Sequence, residues 1–549
     1  MLSTLPPFDP LTIQPNHLLN KLLRTVCIKL QPSETMLGKF EDSYKVIEKI
    51  LKSAPEDSII HQIDLRVFVH GSLLSNTTVR PIHKDEIDLD IVILFKLDHQ
   101  TVNPQAVQDE IYNLLAADER YKKIIERKSR CIRIQYKSNF HIDLMPALPE
   151  FQSSHSNWIM VPHEVTEGNF TWQLSNPMDL NEWLKGREQR FDSLILNEDG
   201  IKRGDVEVVP MPDQTVEKSN LLYIIQLLKR SRDHHFKGDE DAKKIARSIA
   251  LLVLAGTHYQ WCGNNLILEL ISVVDLIEQK TANYLDLHVY NPVQLHLPKE
   301  EREDFAEKWR QDKALYDQFR EWILHLQQEL EMLFTLRASS LTDYAEILKK
   351  LFHENCVIDA YNDMGEDLRK AQDTHSLSVT SKGAMAAVAA GTVMVKPARA
   401  FGRNFPEFMA CEPVKKSLPL FAQMERMRVL FPQFKTKHRN GVVEWTGAVA
   451  PWEGGPEYVL RITLKQGYHP NIQVISHDIG EYCKHTYPGK RLCLYHPYDS
   501  EERWREDEFI AEKIVPWSVS WLAYWNIWKV TGHWHGDEFP HRSSPEVAS

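Results

Sequence analysis

The chain has 549 residues, of which 43% are hydrophobic and 26% are charged, and its formal net charge is −11. This length is too great for a single hydrophobic core and predicts roughly three domains. The acidic balance argues against a protein whose whole surface coats nucleic acid. The seven scattered cysteines are typical of reduced thiols, Met1–Pro7 lacks the pattern of a signal peptide, and no apolar run is long enough to span a bilayer. We therefore expect a cytoplasmic protein with no membrane partner.

The amino-terminal part mixes helix and strand signals. Amphipathic helices are predicted near His17–Leu30 and Glu41–Lys52, because their apolar residues recur with helical spacing. The short apolar run Val67–Val69 then predicts a strand. The pair Gly71 and Ser72 follows this strand almost directly.

Two carboxylates lie within the next predicted strand. Asp88 and Asp90 alternate with Ile87, Leu89 and Ile91. Alternate residues of a strand face the same way, so the two carboxylates share one face while the apolar side chains point into the core. Such a pair repels itself unless a cation lies between the charges, and Mg²⁺ is the cation that carboxylates and substrate phosphates commonly hold together. The pattern predicts a metal-dependent nucleotide enzyme.

A third carboxylate is predicted on a neighbouring strand. Asp143 lies in the apolar stretch Phe140–Met145, which follows the alternating strand Cys131–Tyr136 and a short turn. Three such carboxylates can hold two metal ions that align an attacking hydroxyl with a leaving pyrophosphate. The alternative is that Asp88 and Asp90 are ordinary exposed strand residues and Asp143 is a turn residue. Because aspartate is disfavoured in strands, the ordered set favours the catalytic interpretation.

The same order of motifs occurs in a known family. The motifs are Gly71-Ser72, Asp88-Leu89-Asp90, Ile142-Asp143-Leu144-Met145-Pro146-Ala147, Lys218-Ser219-Asn220-Leu221 and Ile225–Arg230. Together they resemble the polymerase-beta-like nucleotidyltransferases. Within these they are most similar to the bacterial relatives of cyclic GMP-AMP synthase and oligoadenylate synthase, which make cyclic oligonucleotides in anti-phage signalling. The resemblance implies an α+β catalytic core and a helical lobe that closes the nucleotide cleft.

The resemblance also implies roles for individual residues. It makes Asp88, Asp90 and Asp143 the catalytic ligands of Mg²⁺ or Mn²⁺. The residues that it places at the nucleotide phosphates are Gly71, Ser72, Lys218, Ser219 and Lys229. A compact ammonium group suits a phosphate charge. The alternative for Lys229 is a solvated lysine on an amphipathic helix.

The middle of the chain changes character twice. A proline-containing stretch from Pro149 to Pro212 predicts loops, and helical patterns then extend from Lys218 to about Lys370. The segment Ser378–Gly402, rich in alanine and glycine, is a linker candidate. The alternative for part of it is a short buried helical turn at Met385–Ala390.

The last part is rich in strands and tryptophan. Val442–Val449, Tyr458–Leu464 and Asn471–Ile475 predict an antiparallel meander. Two helices are predicted after it, over Asp507–Ile514 and Trp517–Trp528. The tryptophan stripe of the second helix favours core packing over a base-stacking platform.

This order of elements is similar to the ubiquitin-conjugating fold, and more specifically to small bacterial conjugating-enzyme-like proteins found beside cyclic-oligonucleotide synthases. In that family the cysteine of Leu-Cys-Leu accepts a thioester, which implies a catalytic Cys493. The family's nearby His-Pro-Asn asparagine stabilises an oxyanion, but His485–Pro488 lacks it. A literal His469-Pro470-Asn471 ends 22 residues before the cysteine, and we assign it to the preceding strand.

Cys493 has two other interpretations. One is a small buried hydrophobe with no chemistry, as a cysteine between leucines often is. The catalytic interpretation requires a reactive thiol, which Lys490 and Arg491 would provide if they lie near it. A zinc site would use His477, Cys483, His485, Cys493 and His496. The spacing lacks paired zinc knuckles, so zinc is disfavoured.

We predict an α+β multidomain nucleotidyltransferase, dependent on Mg²⁺ or Mn²⁺, that joins nucleoside triphosphates into a cyclic di- or trinucleotide messenger in anti-phage defence. The predicted domains are the catalytic core 1–160, the helical lobe 161–375, a linker 376–412 and a regulatory ubiquitin-conjugating-like domain 413–549. Expected partners are a separate effector that responds to the messenger and ubiquitin-like or other conjugation partner proteins. The alternatives are transfer to an RNA, protein or small-molecule acceptor, or mainly protein conjugation or scaffolding.

Overall fold

A computed structural model describes most of the chain. The described residues are 17–56, 58, 63–82, 87–136, 140–150, 157–188, 206–208, 218–238, 242–282, 290–297, 302–336, 341–400, 409–412, 414, 416–452, 455–480, 485–487, 489–497, 499 and 502–538. They fall into two compact units. Cys27–Glu331 and Leu351–His353 make up most of the first unit, and Met332–Lys350 and Glu354–Ser549 most of the second. The predicted domain limits at 160, 375 and 412 stay predictions.

The helices and strands follow each other in mixed order along the chain. The helices are α1 His17–Lys29, α2 Glu34–Lys52, α3 Gly71–Leu74, α4 Pro104–Ala116, α5 Pro177–Arg187, α6 Asn220–His235, α7 Ala242–Ile245, α8 Ser248–His258, α9 Leu266–Ala282, α10 Glu307–Gln311, α11 Lys313–Thr335, α12 Leu341–Phe352, α13 Glu354–Asp373, α14 Leu420–Leu430 and α15 Ile510–Thr531. The strands are β1 Leu65–Val69, β2 Ile87–Phe95, β3 Ile125–Arg127, β4 Ile132–Tyr136, β5 Phe140–Pro149, β6 Ile159–Thr166, β7 Asn169–Ser175, β8 Val206–Val208, β9 Leu377–Val379, β10 Met385–Ala387, β11 Val393–Met394, β12 Lys435–Arg439, β13 Val442–Val449, β14 Tyr458–Lys465, β15 Asn471–Val474, β16 Thr486–Tyr487 and β17 Arg491–Leu492.

An eight-stranded mixed sheet forms the centre of the first unit. Its strands follow the order β3-β4-β5-β2-β1-β8, and β6 and β7 extend it from β5. One face packs against α2 and α4, where Tyr44 donates a hydrogen bond of 2.9 Å to the carbonyl of Val67. The alternation predicted for β2 is present, because Ile87, Leu89 and Ile91 are buried. The sheet therefore leaves the polar residues of β2 on the opposite face from this core.

The stretch predicted as loops between Pro149 and Pro212 contains β6, β7 and α5, so that prediction is wrong in part. Pro177 begins α5, where a missing amide hydrogen costs nothing. The side chain of Asn176 caps the same helix by accepting from the amide of Asp179. The helical pattern predicted after Lys218 is present as α6 and the helices that follow it.

The second unit contains the six-stranded sheet β12-β13-β14-β15-β17-β16, whose buried side chains share one hydrophobic core with residues of α14 and α15. Helix α15 was predicted as two helices, but it is continuous through Pro516. Most of its residues are buried, so its packing outweighs the one backbone hydrogen bond that a proline removes. Trp517, Trp521 and Trp525 lie in the core, as predicted for the tryptophan stripe.

The predicted linker is folded in part. Strands β9, β10 and β11 form a small sheet there, which also replaces the alternative helical turn at Met385–Ala390. Val379 and Val395 are fully buried in the core of the second unit. Gly383, in the turn between β9 and β10, has a φ of +79° and lies against Val449.

Two general expectations can be compared with the described residues. No disulfide joins the cysteines among them. None of the helices that the structure describes has the length and apolar character needed to cross a bilayer.

Candidate active site

The three predicted aspartates lie on two adjacent strands. β2 runs parallel to β5, and the register pairs Asp90 with Asp143 and Asp88 with His141. Residues that are directly opposite in a sheet project to the same face. The structure therefore brings together carboxylates that are 53 residues apart in the chain, as the sequence predicted.

A fourth residue joins this row and was missed by the sequence analysis. β4 runs antiparallel to β5 and pairs Arg133 with Asp143. The guanidinium donates two hydrogen bonds to the carboxylate, with Nε 2.8 Å from Oδ1 and Nη2 2.7 Å from Oδ2. Such a bidentate pair fixes the plane of a carboxylate as well as its charge. The only sequence signal was an arginine in the alternating strand Cys131–Tyr136, a position typical of a solvated residue.

Ionisation of Asp90 is electrostatically costly in this arrangement. Burial, followed by the negative charges of Asp88 and Asp143, raises the pKa of Asp90 to about 7. His141 is buried and its Nε2 lies 3.0 Å from Oδ1 of Asp88. A raised pKa is expected of a carboxylate that ionises fully only when a cation binds beside it.

These residues fit Mg²⁺, a cation that does not need a complete set of protein ligands. In the part of the chain that the structure describes, no three His, Cys, Asp or Glu side chains are already arranged to hold a metal ion. Mg²⁺ does not require such an arrangement, because it usually takes one or two carboxylates and completes its shell with water and substrate phosphates. Asp88 and Asp90 provide the carboxylates on one face of β2.

The turn at Gly71 and Ser72 lies directly against the carboxylates. The amide of His70 donates a hydrogen bond of 2.8 Å to the carbonyl of Asp90. Gly71 has φ +61°, and a Cβ atom there would lie 2.2 Å from Oδ2 of Asp90. Only glycine fits both the backbone conformation and the space. The Ser72 hydroxyl accepts a hydrogen bond of 3.1 Å from Thr78.

The lysines predicted at the phosphates are buried and hold a backbone segment. Lys229 donates to the carbonyl of Thr77 at 3.1 Å and to its hydroxyl at 2.8 Å, and Lys218 donates to the carbonyl of Asn76 at 2.9 Å. Burial lowers the pKa of Lys229 to about 7 and that of Lys218 to about 8. The alternative of a solvated Lys229 is therefore wrong.

Two further side chains of α6 bind the same segment. Gln226 donates to the carbonyl of Thr78 at 2.6 Å, and Arg230 donates to the carbonyl of Arg80. α6 thus anchors the loop that follows Gly71 and Ser72. Ser219 caps α6 and donates to Glu188 at 2.8 Å. Contacts of Gly71, Ser72, Lys218, Ser219 and Lys229 with phosphates stay predictions.

The fourth predicted catalytic residue, Cys493, lies in the second unit. Cys493 directly follows β17 and is fully buried. Its amide donates to the carbonyl of His485 at 3.0 Å, and its thiol donates to the hydroxyl of Tyr487 at 3.0 Å. Burial, with Cys493 nearby, raises the pKa of Tyr487, so the phenol stays neutral. A catalytic role for Cys493 stays a prediction.

The cations predicted to activate this thiol have other contacts. Lys490 forms an ion pair of 2.8 Å with Asp478, and the Arg491 guanidinium lies 5.6 Å from the centre of the Tyr487 ring. The disfavoured zinc interpretation gains no support from the described residues. His485 lies 2.7 Å from Glu538, and Cys483 lies outside the described residues.

The first unit has the properties of a polymerase-beta-like nucleotidyltransferase: a mixed sheet, a Gly-Ser turn and three carboxylates on adjacent strands. Residues 18–188 match the family model of the Second Messenger Oligonucleotide or Dinucleotide Synthetase domain. Residues 423–542 match the family model of the Type II CBASS E2 protein. The chain thus joins a synthetase domain of the first family to an E2-like domain of the second.

Individual proteins are also similar to this chain. A c-di-GMP synthase from Roseivirga ehrenbergii is 27% identical over 353 residues, which cover 64% of this chain and 88% of that protein. The cyclic dinucleotide synthase CdnG from Bradyrhizobium diazoefficiens is 25% identical over 229 residues, covering 39% of this chain and 53% of that protein. The solved structure of CdnG in complex with GTP has a TM-score of 0.50 at 19% identity, and covers 63% of this chain and 99% of CdnG.

These matches confirm the predicted resemblance and the predicted fold class. The predicted function is confirmed at the level of its class: a second-messenger nucleotidyltransferase of the CBASS anti-phage system. The predicted E2-like domain is present as well.

Proposed function

We propose that the chain condenses nucleoside triphosphates, GTP among them, into a cyclic dinucleotide in a reaction that depends on Mg²⁺. The observation that carries this proposal is the register that pairs Asp90 with Asp143, with Asp88 on the same face. A guanine-containing product is supported by the names of the relatives, a c-di-GMP synthase and a synthase solved with GTP. A separate effector protein would respond to the messenger.

Each residue of the site has a separate role in this proposed reaction. Asp88 and Asp90 would hold Mg²⁺, which when bound would supply positive charge next to the triphosphate. Asp143 orients the attacking ribose hydroxyl, and Arg133 fixes Asp143 through its two hydrogen bonds. Lys218 and Lys229 support the loop after Gly71 and Ser72. Positioning and electrostatics supply most of the rate, because phosphoryl transfer needs little covalent help from a protein.

The first prediction concerns the product. Incubation with all four ribonucleoside triphosphates and Mg²⁺ or Mn²⁺ is expected to give a phosphatase-resistant cyclic dinucleotide that contains guanine, detected by mass spectrometry. The control is the double variant Asp88→Ala, Asp90→Ala, which should give none. A linear or acceptor-linked product from the wild type would instead favour transfer to an RNA, protein or small molecule. EDTA should stop the reaction, and excess Mg²⁺ should restore it.

The second prediction concerns Arg133. Arg133→Ala should lower the initial rate of pyrophosphate release about 10- to 100-fold, because misplacement of a catalytic group by about 1 Å can cost about 10²-fold in rate. The change removes the two hydrogen bonds from the guanidinium to Asp143 and a positive charge that lowers the pKa of Asp90. The matched control is Arg127→Ala on β3, whose guanidinium binds the remote Asp109. Equal rates for wild type and Arg133→Ala would refute the positioning role.

A second function is supported by the E2 family match over residues 423–542. We infer that Cys493 carries an acyl group as a thioester, for transfer to or from a conjugation partner protein. The thiol is buried and donates a hydrogen bond to the hydroxyl of Tyr487, so it has to become exposed before it can take an acyl group. An acyl group found on Cys493 by peptide mass spectrometry would support this function.

A further inference from the structure

One histidine faces the carboxylates of the candidate active site. His141 lies on β5, directly opposite Asp88 on β2 and two residues before Asp143. Its side chain is buried. The Nε2 atom lies 3.0 Å from Oδ1 of Asp88 and 4.0 Å from Oδ2 of Asp143. The imidazole is therefore close to a carboxylate from each of the two strands.

The distance between His141 and Asp88 is typical of neighbouring ligands on one cation. Small divalent cations hold carboxylate oxygen and imidazole nitrogen at about 2.0–2.1 Å. Two ligands at right angles on such a cation are about 3.0 Å apart, because their separation is the bond length multiplied by the square root of two. Nε2 of His141 and Oδ1 of Asp88 already have this separation. One cation can therefore take both atoms with little movement of either side chain.

Asp143 is less available to the same cation. Both of its oxygens accept hydrogen bonds from the Arg133 guanidinium, at 2.8 Å and 2.7 Å. Charge-assisted bonds of this kind are strong, and a cation that approached Asp143 would be repelled by the positive charge of Arg133. His141 is therefore better placed than Asp143 to add a ligand to the two carboxylates of β2.

We propose that His141 is a nitrogen ligand of the cation held by Asp88, and that the site therefore binds Mn²⁺ more tightly than Mg²⁺. The inference rests on the proposed function, which assigns a divalent cation to Asp88 and Asp90. Carboxylate and water suit both cations, but imidazole nitrogen is a ligand of transition metals rather than of Mg²⁺. One nitrogen among the ligands therefore favours Mn²⁺, while Mg²⁺ still binds through the carboxylates.

Electron paramagnetic resonance of Mn²⁺ bound to the full-length chain tests the ligand directly. Echo-modulation spectra of the wild type should show coupling of a nitrogen nucleus to the Mn²⁺ spin, and ¹⁵N-labelled histidine should change this coupling. His141→Gln, which has an amide oxygen at similar reach, should lose the histidine coupling.

Titration of the same proteins tests the selectivity. His141→Gln should weaken Mn²⁺ binding about tenfold, because the loss of even an outer-shell partner typically costs that much affinity. Mg²⁺ binding, measured by competition, should change less than about threefold, because Mg²⁺ takes oxygen ligands. The matched control is His99→Gln beyond the far end of β2, where His99 lies 3.9 Å from Asp98. This variant should keep the histidine coupling and both affinities.

Each other outcome overturns a particular claim. If Mn²⁺ binding to the wild type depends on Asp88 and Asp90 but shows no histidine coupling, the nitrogen ligand is refuted and the proposed function stands. That measurement needs no variant of His141. A coupling that persists in His141→Gln comes from another histidine and also refutes the ligand. Coupling to His141 with equal affinities for the two cations refutes the selectivity. If the wild type binds no Mn²⁺, or the Asp88→Ala, Asp90→Ala variant binds it equally well, the cation site of the proposed function fails too.

Discussion

Asp90→Asn is expected to lower cyclic dinucleotide synthesis at least about 10³-fold, because a catalytic metal supplies several kcal/mol of transition-state stabilisation. The same change should stabilise the ligand-free protein at pH 8. Burial and the charges of Asp88 and Asp143 raise the pKa of Asp90 to about 7 in the folded state. Ionised Asp90 therefore lowers the free energy of unfolding, and asparagine avoids this loss of stability.

The sign of the pH dependence follows from linkage. Because the folded-state pKa of Asp90 is raised, the folded protein binds more protons than the unfolded chain between about pH 4 and pH 7, and stability falls across that range. The advantage of Asp90→Asn should be absent below about pH 4, grow with pH and level off above about pH 7. Mg²⁺ should raise the unfolding temperature of the wild type at pH 8 and have little effect on the variant.

Thermal unfolding with and without Mg²⁺, at pH 5 and pH 8, measures these effects. Asp98→Asn is the matched control, because Asp98 lies in an exposed turn after β2 and its amide counterpart can still accept the hydrogen bond from Gln100. Loss of activity without any gain in stability at pH 8 would contradict the electrostatic account of the site, although it would leave Asp90 as a catalytic residue.

Gly71→Ala is expected to lower synthesis about 100-fold and to destabilise the protein. A Cβ atom at this position would lie 2.2 Å from Oδ2 of Asp90, so the carboxylate has to move. Displacement of a catalytic group by about 1 Å commonly costs about 10²-fold in rate. The left-handed φ of +61° adds about 1–2 kcal/mol of strain for alanine.

Gly168→Ala separates these two effects. Gly168 has a similar φ of +74°, but a Cβ there meets nothing within 4 Å, and it lies in the turn between β6 and β7. This variant should lose about 1–2 kcal/mol of stability, because alanine is strained at a left-handed φ, and it should keep its synthase activity. The measurements are the denaturant midpoint and the initial rate of pyrophosphate release. Equal activity of Gly71→Ala and Gly168→Ala would contradict the close fit of the turn to Asp90.

Local patterns were sufficient to predict the main elements of the candidate active site. The period of two around Asp88 and Asp90 predicted which side chains of β2 face the core, because a strand exposes alternate residues to each face. The meander from Val442 to Val474 was predictable for the same reason. Local patterns were insufficient at Pro516, where burial keeps α15 intact, and in β9–β11, where packing converts an alanine-rich segment into strands.

The class of the protein could be predicted from the chain alone, since the three carboxylates, the Gly-Ser turn and the Leu-Cys-Leu motif are local signals. The residues that support these motifs became visible only in the folded chain. Arg133 reaches Asp143 through strand pairing, and Lys229 reaches Thr77 across 152 residues of the chain. Such contacts depend on strand order and register, which come from the packing of the whole unit and leave no signal in the spacing of the residues concerned.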